Sequence, residues 1–153
     1  MADVTVETVV AAAPKVLYDL VSDVTRMGEW SPETTSCRWL GGATGPTVGA
    51  RFVGANRAGW RRWATTCKVR AADPGERFEF EVSFGPLPVS TWAYEFEPEG
   101  AGCRVRETWT DRRLGWMRKA SPYVMGVRDW GEHNRGTMEA TLAALQQHAE
   151  KTG

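Results

Sequence analysis

The sequence has no excess of charge of either sign, because 19 Lys and Arg residues balance 19 Asp and Glu residues. A balanced chain gives no electrostatic reason to expect nucleic acid or an anionic membrane as a partner. No apolar run approaches the roughly 18 residues that span a bilayer. The first residues contain acids and no basic segment of the kind that begins a secretory signal. We therefore expect a cytoplasmic protein with no membrane span.

Cysteine and histidine are scarce, and no standard catalytic motif occurs. Cys37, Cys67 and Cys103 are widely spaced with no CxxC pair, which favours reduced, buried thiols. His133 and His148 lie too far apart on one predicted helix to share a metal ion, and we expect both to be exposed or peripheral. HExxH, GxSxG, P-loop and dinucleotide-binding motifs are all missing. The sequence predicts neither a metal nor a cofactor.

Tryptophan, by contrast, is abundant, with eight residues in a chain of 153. A buried indole covers about 150–250 Å², and its N–H group needs a hydrogen-bond partner. An interior rich in such side chains suits a small hydrophobic ligand. It also suits a heavily packed core with no ligand, and composition alone leaves both interpretations open.

The order of the hydrophobic patterns predicts an α+β protein. A Val- and Thr-rich strand over residues 3–10 precedes a helix that begins at Pro14 and a second short helix over residues 23–30. From residue 34 to 112 apolar and polar residues alternate with period two, which indicates antiparallel strands covered on one side. Turn signals divide this part into six strands, over about 34–40, 49–57, 60–72, 76–84, 89–98 and 102–112.

A connector over about residues 113–122 is predicted to lead to a long final helix that reaches about residue 149. The inward stripe of this helix is Val127, Trp130, Asn134, Met138, Leu142 and Leu145. No repeat or linker divides the chain, so we expect a single domain over residues 1–153. A strongly curved sheet closed by these helices leaves an interior lumen unless large side chains fill it.

Several segments match the pattern of a known superfamily. They are Ala12–Pro14, Val16–Asp23, Met27–Pro32, Gly49–Phe52, Gly54–Arg57, Gly59–Trp63, Trp92–Phe96, Arg104–Asp111 and the helix with Met138, Leu142 and Leu145. On these residues the chain resembles the START and birch-pollen-allergen superfamily, and within it the bacterial polyketide cyclase/dehydrase and lipid-transport proteins, often labelled SRPBCC. The resemblance implies a helix-grip fold, with a curved seven-stranded antiparallel sheet around a long C-terminal helix and two short helices after strand one. It implies a hydrophobic cavity but no single reaction, because members range from ligand carriers to aromatase/cyclases.

Glu107 is the candidate catalytic residue. It lies between Val105 and Trp109 on the last predicted strand, so period two places it on the inner side of the sheet. A carboxylate among aromatic side chains has a raised pKa unless it is paired, which suits a general acid or base acting on an enolisable polyketide. A Glu side chain bonded to a neighbouring Arg or Trp N–H is the alternative.

Two asparagines share the inward registers. Asn134 breaks the stripe of the final helix and is predicted to meet a ligand carbonyl or a buried water. Asn56 has the parity of Phe52 and is predicted to face the same lumen. The other candidate ligand-binding residues are Trp39, Phe52, Trp63, Phe80, Trp92, Tyr94, Trp109, Trp130 and Met138.

Three aromatic residues, Trp30, Trp116 and Tyr123, are predicted at the cavity entrance, although a dimer contact has the same sequence pattern. Both a monomer and a homodimer stay open. Residues 56–63 interleave Arg with Trp, as in some sites for single-stranded nucleic acid. A hairpin with Arg62 and Trp60 on its outer face explains the same pattern, and no nucleic-acid partner is expected.

The sequence therefore favours binding or transport of a small hydrophobic molecule, with a lipid-, polyketide- or aromatic-like structure, in an internal cavity. A polyketide cyclase or dehydratase that uses Glu107 as its acid or base is the first alternative. A structural or stress-related module with a filled core is the second. Whether the protein is an enzyme stays open from the sequence.

Overall fold

The computed structural model describes residues 2–125 and 130–152, apart from the side chains of Ala58, Thr152 and residues 121–125. Its strands form a seven-stranded antiparallel sheet in the order β1-β7-β6-β5-β4-β3-β2. The strands are β1 (Val4–Val10), β2 (Thr34–Trp39), β3 (Arg51–Ala58), β4 (Arg61–Asp73), β5 (Arg77–Phe84), β6 (Leu87–Glu99) and β7 (Gly102–Asp111). The predicted helix-grip fold is confirmed.

Two short helices follow β1, as predicted: α1 (Pro14–Ser22) and a 3₁₀ helix (Val24–Glu29). Pro14 begins α1, where the missing N–H group costs no hydrogen bond. Asp23 caps the 3₁₀ helix, because its Oδ1 accepts a hydrogen bond of 3.2 Å from the Thr25 backbone N–H. Pro14 and Asp23 therefore define where these two helices begin.

The predicted connector before the final helix is wrong in part, because most of it forms a helix, α2 (Gly115–Met125). Gly115 is the first residue of α2, so it does not interrupt the helix interior. Trp116, Met117 and Ala120 line the cavity, with Met117 and Ala120 half-buried and Trp116 exposed to solvent. The long final helix is α3 (Trp130–Thr152). Val127, predicted at its start, lies outside the described residues.

Irregular pairing bends the strands of the sheet. The register shifts between Thr34 and Ser36 in β2, between Val69 and Ala71 in β4, and between Val82 and Ser83 where β5 pairs β6. An extra residue on one strand of a pair kinks that strand and increases its local twist. The sheet therefore curves around α3 as the resemblance implied.

The core lies between the inner face of the sheet and the two helices α1 and α3. In α3 the second half supplies the fully buried Leu145 and Ala149, whereas Asn134 and Thr141 of the first half face inward with polar side chains. The apolar core is therefore dense at one end of the sheet and open at the other. The opening holds the site described below.

Gly28 allows the 3₁₀ helix to lie directly against β2. A Cβ atom on Gly28 would stand 2.4 Å from the carbonyl oxygen of Thr35, which no real side chain tolerates. The neighbouring atom belongs to the backbone of a strand, so it does not move aside easily. At Gly45, by contrast, an added Cβ has nothing within 4 Å.

We expect Gly28→Ala to lower the free energy of unfolding by about 1–3 kcal/mol, the usual range for forced overpacking. Gly45→Ala is the matched control, and its effect should stay within about 0.5 kcal/mol. Urea unfolding followed by circular dichroism measures both variants. Equal stabilities of the two variants would show that the contact between Gly28 and Thr35 does not constrain the fold.

Candidate functional site

A cavity of about 560 Å³ lies between the inner face of the sheet, α2 and α3. This volume is within the range of about 300–1,000 Å³ usual for small-molecule sites. The cavity is deep at Glu107 and Met138, which are both about 1% exposed, and reaches solvent at Trp116 and Phe84, which are 59% and 54% exposed. The interior of the protein is therefore not filled by its tryptophans.

Most of the predicted site residues converge on this cavity. Of the described residues that line it, those predicted from the sequence are Phe52, Asn56, Trp63, Phe80, Trp92, Tyr94, Glu107, Trp109, Trp116, Trp130, Asn134 and Met138. Their convergence follows from strand parity, since Trp92 lies directly opposite Phe80 on one side and Trp109 on the other. Contact of these residues with a ligand stays a prediction.

Trp39 does not belong to the lining. It stands at the end of β2 with its ring edge-on to Phe52, and the two ring centroids are 5.5 Å apart. The sequence prediction placed Trp39 at the lumen because its parity is inward. Phe52, its partner on the adjacent strand, does line the cavity.

Trp30 is buried in the core and does not stand at the entrance. Its ring packs edge-on against His148 at 5.1 Å, and the guanidinium of Arg26 lies 5.1 Å from its centroid. These contacts tie the 3₁₀ helix to the second half of α3. Of the other predicted entrance residues, Trp116 does line the cavity, and the side chain of Tyr123 lies outside the described residues.

The polar centre of the cavity is a hydrogen bond between two buried side chains. The hydroxyl of Tyr94 donates to Glu107 Oε2 at 2.7 Å, and the other oxygen, Oε1, has no partner. Burial raises the pKa of Glu107 to about 8, although the hydrogen bond from Tyr94 lowers it in part. Burial likewise raises the pKa of Tyr94 well above its usual range. At neutral pH this pair is mostly uncharged.

Neither of the partners proposed for Glu107 from the sequence, Arg or Trp N–H, is the one observed. A signal for Tyr94 was nevertheless present in the sequence. Gly100 and Ala101 make a tight turn between Glu99 and Gly102, and counting back from this turn places Tyr94 opposite Glu107. Hairpin register therefore identifies the pair.

The two asparagines differ in their hydrogen bonding. Asn56 accepts from Thr34 at 3.1 Å and donates to Thr65 at 3.2 Å, so neighbouring strands already satisfy its amide. Asn134 is buried against the cavity, and its side-chain amide has no hydrogen bond to any described residue. Of the two, Asn134 is the one whose amide is available to a ligand.

Both histidines are half-buried. His133 Nε2 lies 2.8 Å from Glu33 Oε2, and its ring packs edge-on against Trp130. Glu33 lines the cavity, and this pair links the segment before β2 to the first turn of α3.

Arg113 is a lining residue that the sequence did not indicate. Its guanidinium makes two hydrogen bonds to the Asp111 carboxylate, at 2.9 and 2.7 Å. Burial opposes ionisation of Asp111, but the bonds from Arg113 outweigh it and lower the pKa of that carboxyl. The positive charge of Arg113 is therefore neutralised at the cavity.

The three cysteines are free thiols. Cys37 and Cys67 line the cavity, and burial raises the pKa of Cys37 to about 11.

Within residues 2–125 and 130–152 no three His, Cys, Asp or Glu side chains are grouped to hold a metal ion. No helix in the described part of the chain is long and apolar enough to cross a membrane.

A curved sheet that grips a long helix around an apolar cavity defines the class of this protein, a helix-grip protein with an internal cavity. The chain belongs to the family described as polyketide cyclase / dehydrase and lipid transport, whose model matches residues 1–150. A search of curated protein sequences found no match.

Solved structures agree with this assignment. The Polyketide_cyc-like protein Cgl2372 from Corynebacterium glutamicum is 31% identical, with a TM-score of 0.64, over 98% of this chain and 93% of that one. Major latex-like protein 151 from Panax ginseng shares the fold at 12% identity and a TM-score of 0.73, over 95% of each chain. The di-domain ARO/CYC StfQ from the steffimycin biosynthetic pathway is 14% identical with a TM-score of 0.75, over 97% of this chain and 50% of that one.

The raised pKa of Glu107 predicts how stability depends on pH. The folded state holds the proton more tightly than the unfolded state, in which the pKa is near 4.5. The stabilisation is therefore complete below about pH 4.5 and is lost as the pH rises through about 8. We expect the free energy of unfolding to fall by about 3–5 kcal/mol across this range.

Glu107→Gln has a similar shape and no titrating proton, so it should lose this part of the pH dependence. Urea unfolding of the native protein and the variant between about pH 5 and 9 provides the comparison. The variant should become the more stable of the two at the alkaline end. Parallel curves for the two proteins would contradict the assignment of the buried proton to Glu107.

Proposed function

We propose that the protein binds or transports a small, uncharged hydrophobic molecule in the cavity, with a lipid-, polyketide- or aromatic-like structure. The observation that carries this proposal is an apolar cavity of about 560 Å³ in which Glu107 Oε1 has no hydrogen-bond partner among the described residues. A close-packed core leaves few voids larger than a water molecule, so a cavity of this volume argues against the structural module with a filled core that the sequence left open. The ligand-carrying members of the family support the proposal.

The polar groups indicate what the ligand presents to the deep end of the cavity. A protonated Glu107 donates through its carboxyl O–H and accepts through its carbonyl oxygen, and Asn134 both donates and accepts. Glu107 is mostly neutral at pH 7, and the amide of Asn134 carries no charge. The guanidinium of Arg113 is already paired with the Asp111 carboxylate. A hydroxyl or carbonyl group on the ligand is therefore matched, whereas a carboxylate would be buried without a counter-ion.

Thr137 gives a direct test of ligand binding. It lines the cavity on α3, and its hydroxyl bonds only to the backbone oxygen of Asn134 within the described residues. We expect Thr137→Phe to occupy cavity volume and to weaken binding of the neutral dye Nile red about tenfold or more. Ala140→Phe, on the exposed side of the same helix, is the matched control and should bind the dye as the unchanged protein does.

Native mass spectrometry of the purified protein supplies the second measurement for the same proposal. A bound small molecule should be present in the unchanged protein and lost in Thr137→Phe. Repeated absence of any ligand together with no dye binding would overturn the proposal. Equal dye affinity in both Phe variants would place the binding site elsewhere.

A second candidate function is that of a cyclase or dehydratase, and the unpaired Oε1 of Glu107 favours it. A carboxyl with a pKa of about 8 is mostly protonated at neutral pH, so it acts first as a general acid. In the dehydration of a β-hydroxyketone it would protonate the hydroxyl that leaves as water. As the C–O bond breaks, the carboxylate removes the proton from the α-carbon, the electrons of that C–H bond form the C=C bond, and the carboxyl group is restored.

For this second function we expect Glu107→Gln to abolish turnover of a poly-β-ketone thioester, while dye affinity stays nearly unchanged and thermal stability at pH 6 is equal to that of the unchanged protein or higher. The reason is that Gln keeps the size and the acceptor for Tyr94 but has no proton to transfer. Product analysis by mass spectrometry measures the turnover. Activity that survives the substitution would eliminate Glu107 as the acid and base and leave ligand binding unaffected as a proposal.

A further inference from the structure

The balanced net charge of the chain conceals a segregation of charge. Residues 34–72 contain seven Lys and Arg residues and no Asp or Glu, whereas the remaining residues hold 12 basic and 19 acidic ones. The segment forms β2, β3 and most of β4, which are neighbours at one edge of the sheet. The zero net charge gave no reason to expect an anionic partner. The local excess of basic residues at this edge of the sheet does give one.

Like charges stand directly opposite each other in the β3–β4 hairpin. Arg57 pairs with Arg62 across the two strands, both are exposed, and neither has an acidic partner among the described residues. Toward the opposite edge of the sheet, on β7, the arrangement is different, because Arg104 forms ion pairs with both Glu7 and Glu99. Opposed like charges destabilise a pair of strands. The hairpin therefore carries an unfavourable charge arrangement that an anionic partner would relieve.

The turn of the same hairpin presents an aromatic side chain to solvent. Trp60 is 80% exposed, and the guanidinium of Arg61 lies 4.5 Å from the centroid of its ring. Gly59, with φ of +65°, makes the turn possible. Arg38 and Arg51 are exposed on the same outer face of the sheet as Arg57 and Arg62. We call the set Arg38, Arg51, Arg57, Trp60, Arg61 and Arg62 the β3–β4 patch.

We propose that the β3–β4 patch docks the protein on a membrane surface that carries anionic lipids. Arginines near such a surface are attracted by about 1 kcal/mol each. Tryptophan is the residue that prefers the level of the lipid headgroups, where its ring is partly buried and its N–H stays hydrated. The exposed tip of the hairpin holds both kinds of side chain together.

The geometry favours a membrane over a nucleic acid. Proteins that bind single strands stack successive bases on several aromatic rings. Here the tip offers one exposed indole, because Trp63 turns to the other side of the hairpin and lines the cavity. A single exposed ring with one guanidinium group beside it offers no series of stacking surfaces for a nucleic-acid strand, but it suits insertion into a headgroup layer.

The patch and the cavity meet in the same two strands. Asn56 pairs with Trp63 on the cavity side, and the next pair along the ladder is Arg57 with Arg62 on the outer side. Docking at the hairpin would therefore bring the lining of the cavity close to the lipid surface. The attraction itself does not require a ligand in the cavity, so vesicle binding tests it independently of the proposed function.

Flotation with vesicles measures the docking. The unchanged protein should bind vesicles of phosphatidylcholine with about 30 mol% phosphatidylglycerol and should not bind phosphatidylcholine alone. R57Q/R62Q should bind the anionic vesicles about 30-fold more weakly, which is the loss of about 1 kcal/mol at each of two positions. Trp60→Ala should reduce the binding that persists at high salt, because that part does not depend on charge.

The matched control is R104Q/R106Q, which removes the same charge from arginines already paired with Glu7 on the same sheet. Its vesicle binding should stay within about threefold of the unchanged protein, since screening limits distant charges. Thermal melting of R57Q/R62Q should show unchanged or increased stability.

Equal binding to neutral and anionic vesicles, or equal losses in the two double variants, would overturn the proposal. Binding of a single-stranded oligonucleotide without any vesicle binding would also overturn it, and would assign the patch to nucleic acid.

Discussion

The alternation of side chains across a curved antiparallel sheet is the constraint on which the cavity depends. Every second residue of the seven strands points inward, and α3 is the long helix that packs against that face together with the short α1. The second half of α3 fills its share with Leu142 and Leu145, while the first half offers Asn134 and Thr141. Rigid indoles at Trp92 and Trp109 line the remaining space without closing it, and the result is a cavity at one end of the sheet.

The chemistry of the cavity follows from placing one carboxyl group in that apolar space. Water is excluded around Glu107, and the hydrogen bond from Tyr94 offsets only part of the cost of ionisation. The carboxyl group of Glu107 is therefore mostly protonated at neutral pH. The free energy of unfolding falls as the pH rises, because the folded state holds this proton more tightly than the unfolded state. The same property serves an uncharged ligand and an acid catalyst, which is why ligand binding and dehydration both remain consistent with a single site.

Much of the fold and part of the site were predictable from local patterns, and the exceptions have physical reasons. Period two in the strands and the Pro14 start of α1 predicted the architecture, and parity predicted the lining. The helix α2 was missed because Gly115 and Pro122 are turn signals in a local window, whereas in the structure Gly115 is the first residue of the helix. Parity also placed Trp39 at the cavity, since it specifies a face of the sheet and not which neighbour stands in front.

The sequence by itself determined which residues face inward, where the strands turn and, through the Gly100 turn, which side chains lie opposite each other. These properties are local, because they depend on alternation and on short connections. The tertiary structure alone decided that the tryptophans leave an open volume, that Asn56 is satisfied and Asn134 is not, and that Glu107 has a free oxygen. Those outcomes depend on how distant elements approach one another, and burial and desolvation exist only after that approach is complete.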